Sequence, residues 1–246
     1  MSDREIVLEV SGLTKEYPGF LLDGVSLTAA RGEIVGFIGR NGAGKSTTLK
    51  SILGLVHPDA GTVRFFGLEY TGNERAIRQR IGFAAGAVDF YKRRRIREIR
   101  DVAKRFYDTW EEESWRSCIR DFELDENKRP SELSEGMKVK LNLALALSHR
   151  AELLILDEPT SGLDPFSRTE LLELFRELSD RGTAILYSTH IISDLEKCAD
   201  RILYIRRGRI ADEAGREAFA ERHRKDESES LEDMIIRLEK EGKEHE

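Results

Sequence analysis

Between the apolar run Ile34-Val35-Gly36-Phe37-Ile38 and a helix-forming stretch at 47–53 stands Gly39-Arg40-Asn41-Gly42-Ala43-Gly44-Lys45-Ser46, a full match to GxxxxGK[ST]. A strand, a glycine-rich loop and a helix in that order leave few structural solutions. The glycines let the backbone curl so that successive N–H groups point inward, and the following helix adds its positive end. A polyphosphate fits such a cradle. Lys45 brings a point charge to the β- and γ-phosphates, and the Ser46 hydroxyl is a hard oxygen ligand suited to Mg²⁺. Every residue of this loop, with Thr47, is a candidate contact to nucleotide. A dinucleotide-binding fold would carry GxGxxG without the Lys-Ser pair.

Leu153-Leu154-Ile155-Leu156-Asp157-Glu158 reads as a buried strand ending in two carboxylates. A DE pair at the end of an ordinary surface strand carries no chemistry by itself; the phosphate loop upstream supplies the context. In a phosphate-loop ATPase the first acid, here Asp157, holds Mg²⁺ directly or through water. The second, Glu158, can orient and polarise the attacking water. A guanine-binding NKxD motif is not matched, because Asn127-Lys128-Arg129-Pro130 fails at its fourth position.

Short apolar runs rich in β-branched and aromatic residues predict strands at Ile6-Val7-Leu8, Val63-Arg64-Phe65-Phe66, Ala184-Ile185-Leu186-Tyr187 and Ile202-Leu203-Tyr204. From about 88 to 150 the chain is charged and helical in period, with Ile96, Ile99, Val102 and Phe106 on one face, so a helical insertion is expected. Strands alternating with helices predict an α/β core with a largely parallel sheet. Leu231, Met234, Ile235 and Leu238 form a narrow stripe in a charged C-terminal stretch, which predicts a further helix.

The 246 residues include 40 Lys+Arg and 46 Asp+Glu, a net charge of −6, with 39% hydrophobic and 35% charged residues. A sizeable core under a highly charged surface follows. No apolar run approaches the ~18 residues that suggest a membrane span, and no leader is readable at the start. Cys118 and Cys198 build neither a disulfide framework nor a CxxC zinc pair. A cytoplasmic globular protein is expected.

Read together, these motifs make the chain resemble the ATP-binding subunits of ABC transporters, from about Leu8 to Arg209. Leu133-Ser134-Glu135-Gly136-Met137 stands where that family has LSGGQ. Asp157-Glu158-Pro159-Thr160-Ser161-Gly162-Leu163-Asp164 matches the Walker B exit and D-loop. Ser188-Thr189-His190 matches the switch histidine, and Tyr17 the aromatic that stacks on adenine. The resemblance implies a P-loop NTPase (RecA-like) α/β core with an antiparallel β-subdomain and a helical insertion. It places the ATPase domain at 1–220, with the insertion at about 88–150 and a charged helical tail at 221–246. It implies ATP and Mg²⁺ as ligands and a head-to-tail dimer, of two copies or two different subunits. ATP then lies between one subunit's loop and the other's Ser134 and Gly136, with Asp164 at the seam. His190 would sense the γ-phosphate. A separately encoded integral-membrane permease is the implied partner, with this subunit peripheral at the cytoplasmic face of the membrane. The phrase Leu143-Ala144-Leu145-Ala146-Leu147-Ser148 is most similar to ATPases of the ABC-2 exporter type.

Two departures stand out. The signature reads SEGM, so Glu135 places a carboxylate near incoming phosphate. The family's Q-loop glutamine is replaced by Gly86 after Ile81-Gly82-Phe83-Ala84-Ala85, which implies a slow, partner-dependent ATPase. The run Lys92-Arg93-Arg94-Arg95-Ile96-Arg97 reads either as a solvated basic face or as a basic socket for the membrane partner or for lipid headgroups beside it. A nucleic-acid partner is not expected, given the net charge of −6 and no interleaved aromatics. The alternative function is a soluble ABC-type ATPase, such as one for Fe–S assembly.

Overall fold

The computed structural model describes residues 4–85, 91–226 and 228–244. The chain runs β1 (Ile6–Tyr17), β2 (Phe20–Ala30), β3 (Ile34–Ile38), α1 (Lys45–Ile52), β4 (Ala60–Phe65), β5 (Leu68–Glu69), α2 (Glu74–Arg78) and β6 (Ile81–Ala85). It continues through α3 (Ile96–Ala103), α4 (Glu112–Asp121), α5 (Glu135–Leu147), β7 (Leu153–Asp157), α6 (Pro165–Asp180), β8 (Ala184–Thr189) and α7 (Ile192–Cys198). It closes with β9 (Arg201–Arg206), β10 (Arg209–Gly215), α8 (Arg216–His223) and α9 (Leu231–Glu244).

Burial pattern separates two sheets. β1 and β2 alternate buried and exposed residues and pair antiparallel with β4 and β5, in the order β2-β1-β4-β5. β3 and β8 are buried throughout, as parallel strands covered on both faces are. They sit inside the order β10-β9-β3-β8-β7-β6, where only β10 runs antiparallel. The P-loop NTPase core and antiparallel subdomain are therefore both present. One face of the parallel sheet packs Leu154, Leu156 and Tyr187 against Leu171 and Phe175 of α6, Leu143 of α5 and Met234 of α9. The other packs Val35, Phe37 and Ile155 against Leu49 and Ile52 of α1 and against Val7, Leu13 and Phe65 of the antiparallel sheet. α3, α4 and α5 share a smaller core around Ile96, Trp115 and Leu141.

Register sets the site. Ile38 pairs with Thr189, and Asp157 pairs with Ser188. The loop after β3, Glu158 after β7 and His190 after β8 therefore leave the sheet along one edge, the carboxyl end of parallel strands where α/β folds bind ligands.

The structure corrects one expected face. Ile96 and Ile99 are buried, but Val102 is 39% and Phe106 70% exposed. α3 ends at Ala103 and tightens into a 3₁₀ turn at Lys104–Phe106, where Gln79 Nε2 donates to Phe106 O at 2.7 Å. β1 also extends well past Ile6-Val7-Leu8, since Val10 and Leu13 continue its buried side.

Candidate functional site

The phosphate loop is wound back on itself. Gly44, before α1, has φ 117°, and a Cβ there would meet Leu22 Cδ1 at 3.0 Å and Phe20 Cζ at 3.1 Å. Only glycine takes that backbone without strain. Thr48 Oγ1 donates to Gly44 O at 2.9 Å, and Gly208 N donates to Ala43 O at 2.9 Å, tying the loop to the β9–β10 turn. Lys45 is buried, and its ammonium donates to Gly39 O at 2.6 Å. Arg40, Asn41, Gly42 and Ser46 are exposed around the mouth, and Thr47 is half-buried.

Three elements converge on Glu158. Its Oε1 lies 3.6 Å from Lys45 Nζ, and its Oε2 lies 2.7 Å from His190 Nδ1. The Glu158 backbone is left-handed at φ 53°, a conformation that costs a non-glycine residue about 1–2 kcal/mol. Glu158 N donates to Ser188 O at 3.0 Å, which holds the turn in place. Ser188 Oγ donates to Asp157 Oδ1 at 2.5 Å. The sequence names Ser188 only as part of Ser188-Thr189-His190, and its bond to Asp157 follows from the pairing of β7 with β8.

The signature and D-loop residues lie together elsewhere. Ser134 caps α5, its Oγ accepting from Met137 N at 3.2 Å. Glu135 is paired with Lys138 at 2.6 Å, so its charge is partly answered within its own helix. Gly136 packs under the D-loop: a Cβ there would meet Leu163 Cδ2 at 2.9 Å. Asp164 caps α6, accepting from Phe166 N at 3.0 Å and Ser167 N at 3.1 Å, and the Ser167 hydroxyl with these amides holds its carboxyl below the usual range. Among the described residues, no hydrogen bond or ion pair joins Ser134, Gly136 or Asp164 to the loop 39–46 of the same chain. Tyr17, at the end of β1, is 39% exposed with Lys15 Nζ 5.7 Å from its ring centroid. Gly86 lies outside the described residues. Arg93, Arg94, Arg95 and Arg97 are exposed around buried Ile96.

Behind the switch histidine lies a group that sequence reasoning missed. Asp194 on α7 is fully buried, and neither of its carboxylate oxygens, nor Thr160 Oγ1, meets a hydrogen-bond partner in good geometry among the described residues. Burial pushes the Asp194 carboxyl up, opposed by Thr160, Arg168, Lys197 and His190. No spacing rule marks such a residue in advance.

Residues 22–161 match the ABC transporter family model. The chain is 34% identical to the bacitracin transport ATP-binding protein BcrA of Enterococcus faecalis, over 90% of this chain and 73% of that protein. It is 35% identical to the Nod factor export ATP-binding protein I of Mesorhizobium japonicum, over 89% of this chain and 66% of that protein. A solved ATP-binding subunit of an ABC transporter superposes with a TM-score of 0.85 at 29% identity, covering 94% of this chain and 99% of its own. A nucleotide-free ATP-binding cassette from an ABC transporter shares the fold, with a TM-score of 0.75 at 24% identity. These relatives are transport subunits, which favours the transporter reading over Fe–S assembly. By its phosphate loop, its acidic strand end and these likenesses, the chain belongs to the ABC transporter family as an ATP-binding subunit with ATPase activity.

Proposed function

We propose that this subunit powers an exporter: it closes head-to-tail on a second ATP-binding subunit and drives a separately encoded permease at the cytoplasmic face of the membrane. The observation that carries the reading is the meeting of Lys45, Glu158 and His190 at one sheet edge, with Lys45 3.6 Å and His190 2.7 Å from opposite oxygens of one carboxylate. Among the described residues no helix is long and apolar enough to cross a membrane.

In this proposal the loop 39–46 and Thr47 wrap the phosphates, and Tyr17 stacks on adenine. Lys45 exchanges Gly39 O for phosphate oxygens. Ser46 and Asp157 offer hard oxygen donors, and one or two such protein ligands are what Mg²⁺ takes beside a nucleotide. Mg²⁺, when bound, offsets the charge that gathers on the transferring phosphoryl group. Ser188 fixes one Asp157 oxygen. Glu158 accepts a proton from water aligned on the γ-phosphate, and His190, donating to Glu158 or to phosphate, holds that carboxylate in register. Ser134, Gly136 and Asp164 act on the nucleotide of the facing subunit. The ATPase domain is assigned to 1–220, with α3, α4 and α5 as its inserted helical part and 221–246 as a tail.

The permease seat is assigned to the cleft of about 390 Å³ beside β6, where Phe83, Val102 and Phe106 are exposed next to the basic run. Detergent extraction of membranes holding the tagged chain should retrieve a hydrophobic protein with it. Recovery of the chain solely from the soluble fraction, without such a partner, would count against transport.

A further inference from the structure

Among the described residues five buried side-chain nitrogen or oxygen atoms lack a hydrogen-bond partner in good geometry, and four of them belong together: Thr160 Oγ1, Arg168 Nε and both carboxylate oxygens of Asp194. They come from three elements, the loop after β7, α6 and α7, and these two helices share a core through Leu171, Leu172, Leu195 and Cys198. The Thr160 hydroxyl and the Arg168 guanidinium both favour the charged form of the Asp194 carboxyl, so both stand close to it. A buried carboxylate without partners is costly, and one in a folded chain calls for an explanation. The four atoms answer one another. The hydroxyl and the Nε–H can donate, and an ionised carboxylate accepts at both oxygens. Two donors therefore face two acceptors. A separate ion fits poorly here, since a cation would meet Arg168 and an anion would meet Asp194.

The group lies directly behind the reacting pair. Thr160 stands two residues after Glu158, on a turn where Ser161 N donates to Glu158 O at 3.2 Å and Leu163 N donates to Thr160 O at 3.2 Å. Asp194 stands four residues after His190, in the first turn of α7, and its amide donates to Ile191 O at 3.2 Å. In front, His190 Nδ1 is 2.7 Å from Glu158 Oε2. A bond from Thr160 to Asp194 adds a second link behind that one, so the two loops are joined at two points. Arg168, one turn into α6 with its amide donating to Asp164 O at 3.0 Å, brings the start of α6 into the same joint. Glu158 is left-handed at φ 53°, and such a backbone persists where its surroundings over-determine it.

We propose that Asp194 is a positioning residue for hydrolysis: its two oxygens take the Thr160 hydroxyl and the Arg168 Nε–H, and that joint sets Glu158 and His190 against each other. This rests on the roles given to Glu158 and His190 above. The joint is unmade in this structure, and it completes when Mg-ATP draws the loop after β7 and α7 together. Asparagine fills the same space but offers one acceptor, and its amide sets N–H against the Arg168 Nε–H. Glutamate keeps both acceptors. Thr160→Val keeps the shape of the threonine and removes its donor.

The test measures phosphate release by the intact chain at saturating Mg-ATP, with ATP affinity and urea stability measured on the same variants. Asp194→Asn and Thr160→Val should each lower kcat by about tenfold to a hundredfold, the scale of a small misplacement of reacting groups. ATP affinity should hold, and urea stability without nucleotide should be no lower than the parent's. Asp194→Glu should recover most of the rate. The double variant Asp194→Asn with Thr160→Val should be no slower than the slower single, because both changes break one bond. A parental kcat in Asp194→Asn or in Thr160→Val overturns the joint. A fall in kcat matched by an equal loss of ATP affinity or of urea stability also overturns it, since the group would then be structural. If Glu158→Gln is inactive while these variants keep the parental rate, this inference alone falls. If Glu158→Gln itself keeps that rate, the reading beneath it falls as well.

Discussion

The Lys45 ammonium lies 2.6 Å from Gly39 O and 3.6 Å from Glu158 Oε1, and on the proposed reading it trades these partners for phosphate oxygens when ATP binds. Charge-assisted bonds of that kind are worth roughly 1.5–3 kcal/mol each. Lys45→Ala should therefore weaken ATP binding by about a hundredfold, read by calorimetric titration; unchanged affinity would remove the loop from the site. Asp194 offers a pH test. Its folded pKa is raised by burial, so the native state holds this proton more readily than the unfolded chain. Stability then falls as pH rises from the ordinary aspartate value of about 3.9 through the raised value, and levels above it. Asp194→Asn should be more stable than the parent by about 1 kcal/mol at pH 7.5, with the gain shrinking as pH falls toward 4. Urea unfolding across that range checks the sign, and a loss at pH 7.5 would mean that the ionised carboxylate has a stabilising partner. Lys45 and Asp157 stood out as candidates by their place after a strand end, and His190 through the family resemblance. Asp194 and Ser188 did not, since their roles follow from what folds against them rather than from local pattern.

At the level of elements, the strands that read most clearly were β3, β7 and β8, whose continuous apolar runs are what a doubly covered parallel sheet requires. β1 was legible only at its first residues, because its polar positions face water on a half-exposed antiparallel sheet. Val102 and Phe106 kept helical spacing yet ended exposed: Val102 lies in the last turn of α3 and Phe106 in the 3₁₀ turn after it, and both line the open cleft beside β6. The stripe of α9 was visible, but its neighbours were not: Leu231 N donates to Glu196 at 3.1 Å and Tyr204 Oη reaches Glu239, both far away in sequence. Arg237 clamps the start of α9, with Nε donating to Glu229 Oε1 at 2.8 Å and a second nitrogen donating to His223 O. That guanidinium, with the Lys225 amide, holds the Glu229 carboxyl at about 2. The clamp is therefore complete above the ordinary glutamate range and is lost only as pH falls toward that value. Arg237→Ala should lower amide-exchange protection across α9 by about tenfold with the parallel sheet unchanged. Equal protection in parent and variant would show that the apolar stripe alone anchors the helix.

Across the whole molecule, the two sheets are joined by buried charge as well as apolar packing. Arg201 donates to Glu33 at 2.8 Å and to Thr28 O at 2.7 Å, linking β9 to the end of β2 at the sheet end opposite the phosphate loop. Among the described residues the signature residues, by contrast, make no hydrogen bond or ion pair to the phosphate loop, a separation that the proposed head-to-tail pairing would resolve. On the proposed reading, hydrolysis depends on one carboxylate shared between Lys45 and His190. The most direct measurement is phosphate release by the intact chain at saturating Mg-ATP, wild type against Glu158→Gln, with ATP affinity measured alongside. Turnover should fall by roughly 10²–10⁴-fold in the variant while ATP affinity is retained or tightened. Glu158→Gln turning over at the wild-type rate would contradict the account, because the proton from water would then be leaving by another group.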